Sequence, residues 1–140
     1  MVDLIHRVKV FVFRHSSEQP SYLLLRSAQG LEGVWGPLHG PLPFGEQLES
    51  AIRREVMDGV GISRPLGILD LQMPSRWDLG DEQVIEWTYG FHVEEEVDAK
   101  RVVSRWAEYR WAEFHEAYPR LELEPDRGAL MRLHGILRGE

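Results

Sequence analysis

The sequence contains no cysteine, which excludes disulfides and thiolate metal sites and fits a reducing, cytoplasmic setting. No run of Lys or Arg appears, and 16 basic residues stand against 23 acidic ones for a formal net charge of −7. Tight, sequence-independent binding of nucleic acid needs a basic surface that displaces counterions, so that class of partner is set aside. Long apolar stretches are missing too. The opening segment, Met1 to Arg7, carries an acid at Asp3, and neither a signal peptide nor a membrane span is expected.

What is present is a globular balance, 43% apolar and 28% charged, rather than the composition of a disordered chain. The 140 residues can bury one core without staples, and a single domain over residues 1–140 is expected, with no internal repeat and no linker.

Val8 to Phe13 and Tyr22 to Leu25 are short apolar runs that read as neighbouring buried strands, with the polar segment His15 to Ser21, which contains Pro20, as the turn between them. Gly30, Gly33, Gly36, Pro37, Gly40, Pro41, Pro43 and Gly45 follow closely, and that density predicts a long shaped loop with no regular element. From Gln47 to Val60, the residues Leu48, Ala51, Ile52 and Val56 recur at three- and four-residue spacing and predict an amphipathic helix. Ile68 to Met73 and Ile85 to Val93 read as strands separated by a turn around Gly80, and Tyr109 to Trp111 as another strand. Glu94 to Asp98 reads as a solvated acidic turn, with Glu94, Glu95 and Glu96 as its charged run. Asp126 is the expected cap of a last helix that runs toward Arg138, with Leu130, Leu133 and Leu137 on one face.

The loop-to-helix stretch carries the chemistry. It runs Gly40, five residues, Glu46, seven residues, then Arg54-Glu55-Val56-Met57-Asp58-Gly59-Val60-Gly61-Ile62. On a helix, Glu55, Asp58 and position 59 share one face, being three and four residues apart. Carboxylates gathered there can hold a hard divalent cation such as Mg²⁺ through oxygen, and such a cation neutralises a diphosphate and activates water.

This stretch resembles the Nudix box, in which glycine, glutamate, Arg-Glu, an aliphatic residue, a Glu-Glu pair, glycine and an aliphatic residue recur at these spacings. Gly40, Glu46, Arg54, Glu55, Val56, Gly61 and Ile62 match in register. Leu23-Leu24-Leu25-Arg26 and Trp35 look like the lead-in of many Nudix proteins. Glu86 to Phe91 and Tyr109-Arg110-Trp111 look like later strands of the bacterial dihydroneopterin triphosphate pyrophosphatase and its dATP-hydrolysing relatives. The resemblance implies an α/β fold, an α/β/α sandwich around a mixed sheet. It implies Mg²⁺, with Mn²⁺ as a substitute, held by Glu55 and Asp58 together with a loop carbonyl near His39. Glu55 is then the main metal ligand and Arg54 the residue that orients it, with Gly40, Glu46 and Gly61 as structural members. Arg26 is a phosphate-contact candidate, and Trp35 or Trp77 a candidate for stacking on a base. Trp35, Trp87 and Trp111 read as core or pocket wall, with base stacking as the sharper alternative for Trp35. The six histidines show no metal-ligand spacing, and His92 reads as structural.

Two positions depart from the pattern. Asp58 stands for the first glutamate of the pair, but Gly59 replaces the second. Counting back from Tyr109 puts Arg105 where the pyrophosphatase-like relatives carry a further metal-binding glutamate, with Glu108 as the nearby substitute. One lost carboxylate and one reversed make the site about three charge units less negative, and metal affinity should fall. Gly59 also reads as a helix stop, since glycine is favoured just past a helix end. Arg105 reads as a surface arginine, as an anion ligand, or as a side chain that pairs with Glu55 or Asp58 and fills the metal position.

The expected activity is weak, Mg²⁺-dependent hydrolysis of a nucleoside diphosphate linked to another group. The alternative is a catalytically silent domain that binds a nucleotide-like anion or a protein partner. The expected partner is thus a small-molecule nucleoside diphosphate derivative, without nucleic acid or membrane, and with a homodimer left open.

Overall fold

A computed structural model describes residues 3–16, 18–27 and 34–139. Gly30 and Gly33 of the expected loop lie outside the described residues. In chain order the elements are β1 (Asp3–Ser16), β2 (Gln19–Ser27), β3 (Trp35–Gly36), β4 (Leu38–Pro41), α1 (Leu48–Val60), β5 (Gly67–Asp70), β6 (Ser75–Leu79), β7 (Glu82–His92), α2 (Ala99–Arg105), β8 (Trp106–Glu113), α3 (Phe114–Arg120) and α4 (Glu124–Leu137).

The strands form one mixed eight-stranded sheet in the order β3-β2-β1-β7-β5, with β4 joined to β1, β6 to β7 and β8 to β2. Its parallel pairing is β1 with β7, in register from Asp3 opposite Glu82 to Phe13 opposite His92. The centre of β1, Val10 to Phe13, is apolar on both faces because each face meets a helix layer. Val8, Val10 and Val12 pack with Ala51, Ile52, Val56 and Val60 of α1 and Val102 of α2. Phe11 and Phe13, at the alternate positions, pack with Ala117 of α3 and Ala129, Leu130 and Leu133 of α4. The α/β/α sandwich expected from the resemblance is therefore the architecture found.

Several boundaries differ from the sequence reading. The segment His15 to Ser21 is not a turn: β1 runs through Ser16 and β2 begins at Gln19, so His15 faces Pro20 within the hairpin. The Gly/Pro segment is not wholly irregular either. Its β4 pairs antiparallel with β1, from Arg7 opposite Pro41 to Val10 opposite Leu38. A four-residue strand tolerates proline at its end, and its ladder is supplied by a strand thirty residues away in the chain, out of reach of local composition. The Ile68 to Met73 strand stops at Asp70, and β6 precedes the turn at Gly80 as the first arm of a hairpin with β7. The Glu94 to Asp98 turn ends by capping α2, where the Asp98 side chain accepts from the Lys100 N–H. Glu96 is not only solvated, because it accepts hydrogen bonds from Arg14 and Trp111.

Asp126 is not the cap of α4. Leu123 holds that position without a side-chain bond, and Pro125 enters the first turn. Asp126 is buried instead, with its carboxylate 2.6 Å from Lys9 Nζ, and Glu86 lies 3.0 Å from the same ammonium. All three residues are under 7% exposed. Burial opposes the Lys9 charge, but Asp126 and Glu86 outweigh it and hold the ammonium above its ordinary pKa. The triad fastens β1 to β7 and to α4. Removing one partner from a buried charge cluster strands the others, so Lys9→Met is expected to cost about 3 kcal/mol or more in urea unfolding. Replacing Glu86 and Asp126 with apolar residues in the same chain should return most of that loss.

Candidate functional site

Helix α1 presents Glu55 to the sheet. The Glu55 side chain is 3% exposed and lies against Gly40 of β4, where any side-chain carbon would overlap its carboxylate. Gly40 is thus required by close approach. Arg54, the next residue, reaches back to the loop. Its Nε and Nη2 donate to the two oxygens of Glu46 at 3.1 and 3.0 Å, Nη2 also donates to the Pro41 carbonyl at 3.1 Å, and Nη1 donates to Glu55 at 3.5 Å. This fork holds the Glu46 carboxyl below the usual range. Burial pushes the Glu55 carboxyl up, against the pull of Arg105 and Arg54.

Helix α1 does not stop at Gly59. It continues to Val60, and Gly61 takes the left-handed conformation at φ 77°, with its N–H bonded to the Met57 carbonyl. Gly61 is the helix stop. Gly59 is buried inside the last turn, and a Cβ there would lie 2.8 Å from Leu38 Cδ1 and 3.4 Å from Arg105 Nη1. Its missing side chain makes room for Leu38.

Arg105, at the end of α2, is not a free surface side chain. Its Nη2 stands 3.7 Å from Glu55 Oε1 and donates to the His39 carbonyl at 3.3 Å. The guanidinium therefore touches two of the three groups that the resemblance assigns to the metal. Asp58, the third, is exposed one turn further on. Among the described residues, no three His, Asp or Glu side chains are grouped so as to hold an ion. This donor set does not fit a resident Mg²⁺, which needs several converging oxygens. The Arg105 guanidinium stands against two of these groups.

Beside this site, and sharing His39 with it, lies a cavity of about 490 Å³ lined by Arg7, Lys9, His39, Glu86, Asp126, Trp77 and Trp106 among others. His39 joins the two regions. Its carbonyl faces Arg105, while its ring lies in the cavity wall, edge-on to Trp106, with Nδ1 accepting from Arg7 Nη2 at 2.7 Å. Burial and the nearby Arg7 lower the His39 pKa to about 4, so the ring is neutral near pH 7.

Other candidates lie elsewhere. Trp35 is absent from the cavity lining; it packs on the α3–α4 side of the sheet with the Arg120 guanidinium 5.8 Å above its ring. Arg26 is paired with Glu108 at 2.6 Å, away from Glu55. Trp77, at 40% exposed, lines the cavity. Trp87 stacks on His6, outside this cavity, and Trp111 lies under Arg14. Phe13 stacks against the His92 ring. Sequence reasoning missed Arg7, Lys9, Glu86 and Asp126. The available signal was Lys9 itself, because a lysine inside an apolar strand demands a buried counter-charge.

The family model described as NUDIX domain matches residues 5–133. The chain belongs to the Nudix family. A comparison with curated proteins gave no match. Among solved structures, a Caenorhabditis elegans Ap4A hydrolase binary complex is similar at TM-score 0.75 and 16% identity, over 97% of this chain and 99% of that one. The Escherichia coli dihydroneopterin triphosphate pyrophosphohydrolase is similar at TM-score 0.76 and 16% identity, over 92% and 94%. The NUDIX domain of Shewanella oneidensis NrtR, complexed with ADP ribose, is similar at TM-score 0.77 and 14% identity, over 98% and 90%. These likenesses concern the fold. No helix among the described residues is long and apolar enough to cross a membrane.

Two outcomes follow from this geometry. Gly59→Ala gains about 1 kcal/mol of helix propensity but overpacks against Leu38, which is 1% exposed and has no solvent to move into. Overpacking costs about 1–3 kcal/mol, so urea unfolding should show a net loss. The folded pKa of His39 lies below its ordinary 6.5, so its contribution to stability is complete above pH 6.5 and is lost as pH falls toward 4. His39→Asn should flatten the pH dependence of stability in that window.

Proposed function

We propose that this chain binds a nucleoside diphosphate linked to another group and hydrolyses it slowly, with a divalent cation, Mg²⁺ or Mn²⁺, supplied alongside the substrate. The observation that carries the reading is the intact Gly40–Glu46–Arg54–Glu55 assembly set beside a cavity of ligand size. The neighbours support the ligand class, since Ap4A and ADP ribose both carry nucleoside phosphates joined to a further group. In this reading the heterocycle enters the cavity near Trp77 and the phosphates lie over His39. Arg54 keeps Glu55 in place, and Glu46 keeps Arg54. In metal-assisted hydrolysis a divalent cation neutralises the diphosphate and activates water. Arg105 supplies positive charge but has no coordination position for a water, which is why turnover is expected to be slow. A small-molecule substrate in the cytoplasm is the matching setting.

A panel of nucleoside diphosphate derivatives tests this, with phosphate release followed in Mg²⁺, in Mn²⁺ and in chelator. Cation-dependent turnover below about 1 s⁻¹ is expected, under the usual enzyme range, and Glu55→Gln should abolish it. Wild-type rates in Glu55→Gln would place the chemistry elsewhere.

The contact between Arg105 and Glu55 favours a second reading, a silent domain that binds a nucleotide-like anion or a protein partner. Binding across the panel with no turnover under any condition would select it.

A further inference from the structure

His39 lies between two arginines on different elements. Arg7 of β1 donates to its ring, and Arg105 of α2 donates to its carbonyl. Both side chains are about one-third exposed, at 33% and 35%, so each is supported by the protein on one side and reaches solvent on the other. Each also leans on a buried carboxylate without a hydrogen bond: Arg7 Nε is 3.7 Å from Glu86, and Arg105 Nη2 is 3.7 Å from Glu55. A guanidinium has five N–H donors, and each of these two commits one of them to His39. Their charges are thus anchored while most of their donors stay available. Arg54 is the contrast, because its fork is spent on Glu46 and Pro41.

Arg7 and His39 line the cavity, as does Trp106, over whose ring the Arg105 guanidinium stands 5.5 Å away. A ligand seated in the cavity would carry its phosphates out between the two arginines. Adjacent phosphates present several oxygens to planar donors, the arrangement that guanidinium groups recognise in bidentate fashion.

We infer that Arg7 and Arg105 form a diphosphate clamp across His39 that binds its ligand without a divalent cation. The ligand class is a diphosphate ester, and the protein's own cations do the neutralising. The clamp rests on the proposed function for the presence of a diphosphate in the ligand, and goes beyond it in making binding, unlike turnover, independent of metal. The Arg105 guanidinium also lies over Gly59, where a Cβ would stand 3.4 Å from Nη1, in van der Waals contact.

The test is calorimetric titration of the full chain with α,β-methylene adenosine diphosphate and with methylenediphosphonate, each in excess EDTA and again in Mg²⁺. Binding is expected in EDTA, with Mg²⁺ changing the dissociation constant by less than about threefold. Arg105→Gln and Arg7→Gln should each weaken binding about tenfold or more, the scale of one charge-assisted contact. Arg105→Lys, which keeps the charge but loses the planar fork, should fall between. Circular dichroism and melting show whether each variant is folded, and the lysine variant keeps the test available if Arg105→Gln is not. Binding that appears only in Mg²⁺ would overturn the clamp and leave the proposed ligand class standing. Wild-type affinity in both glutamine variants would also overturn it. If neither probe binds in either condition, the clamp and the diphosphate ligand class fail together.

Discussion

A charge removed from water must be met by another charge, and two buried charges organise this molecule around that requirement. Glu55 is sealed between α1 and β4, where Gly40 lets the helix carboxylate touch the strand backbone and two arginines answer its charge. Lys9 is sealed between β1, β7 and α4, where Glu86 and Asp126 answer its charge. Each cluster crosslinks elements far apart in the chain, and each is costly to break on one side only. They meet at His39, whose ring belongs to the cavity and whose carbonyl belongs to the helix site.

A guanidinium and a divalent ion differ in chemistry as well as in charge. A bound Mg²⁺ contributes two positive charges, exchanges with solvent and carries water. Arg105 contributes one, stays attached, and carries no water to activate. A guanidinium can attract phosphate but offers no coordination position for a water. Nudix membership thus goes together with a box in which Gly59 stands for one of the glutamates.

The helix and the Gly40–Glu46–Arg54–Glu55 assembly were legible because their spacing is local, whereas the stop read at Gly59 falls at Gly61, where the left-handed backbone ends the helix. Counting back from Tyr109 singled out Arg105, and the structure sets that side chain against Glu55. Pairings supplied from a distance were not legible. Strand β4 exists because β1 offers it a ladder, and Asp126 turns inward because Lys9 lies beneath it; neither partner is visible from the local pattern. Trp35 and Arg26 show a further limit. They face one another across β2 and β3, and without the register no pattern says which face of the sheet a residue joins.

The parallel ladder between β1 and β7 has a consequence for how the chain comes together. Asp3 pairs with Glu82 and Phe13 with His92, so β1 must wait for some eighty residues before its main neighbour emerges. Until then only β2 and β4 can shield its edges. Pairings of such long sequence separation close late, because loop entropy is spent before contacts return it. Lys9 has no Glu86 to meet during that interval, and charged side chains on an open strand disfavour pairing with other chains. A charge buried in the finished sandwich is thus one that must stay hydrated while the strand is still open.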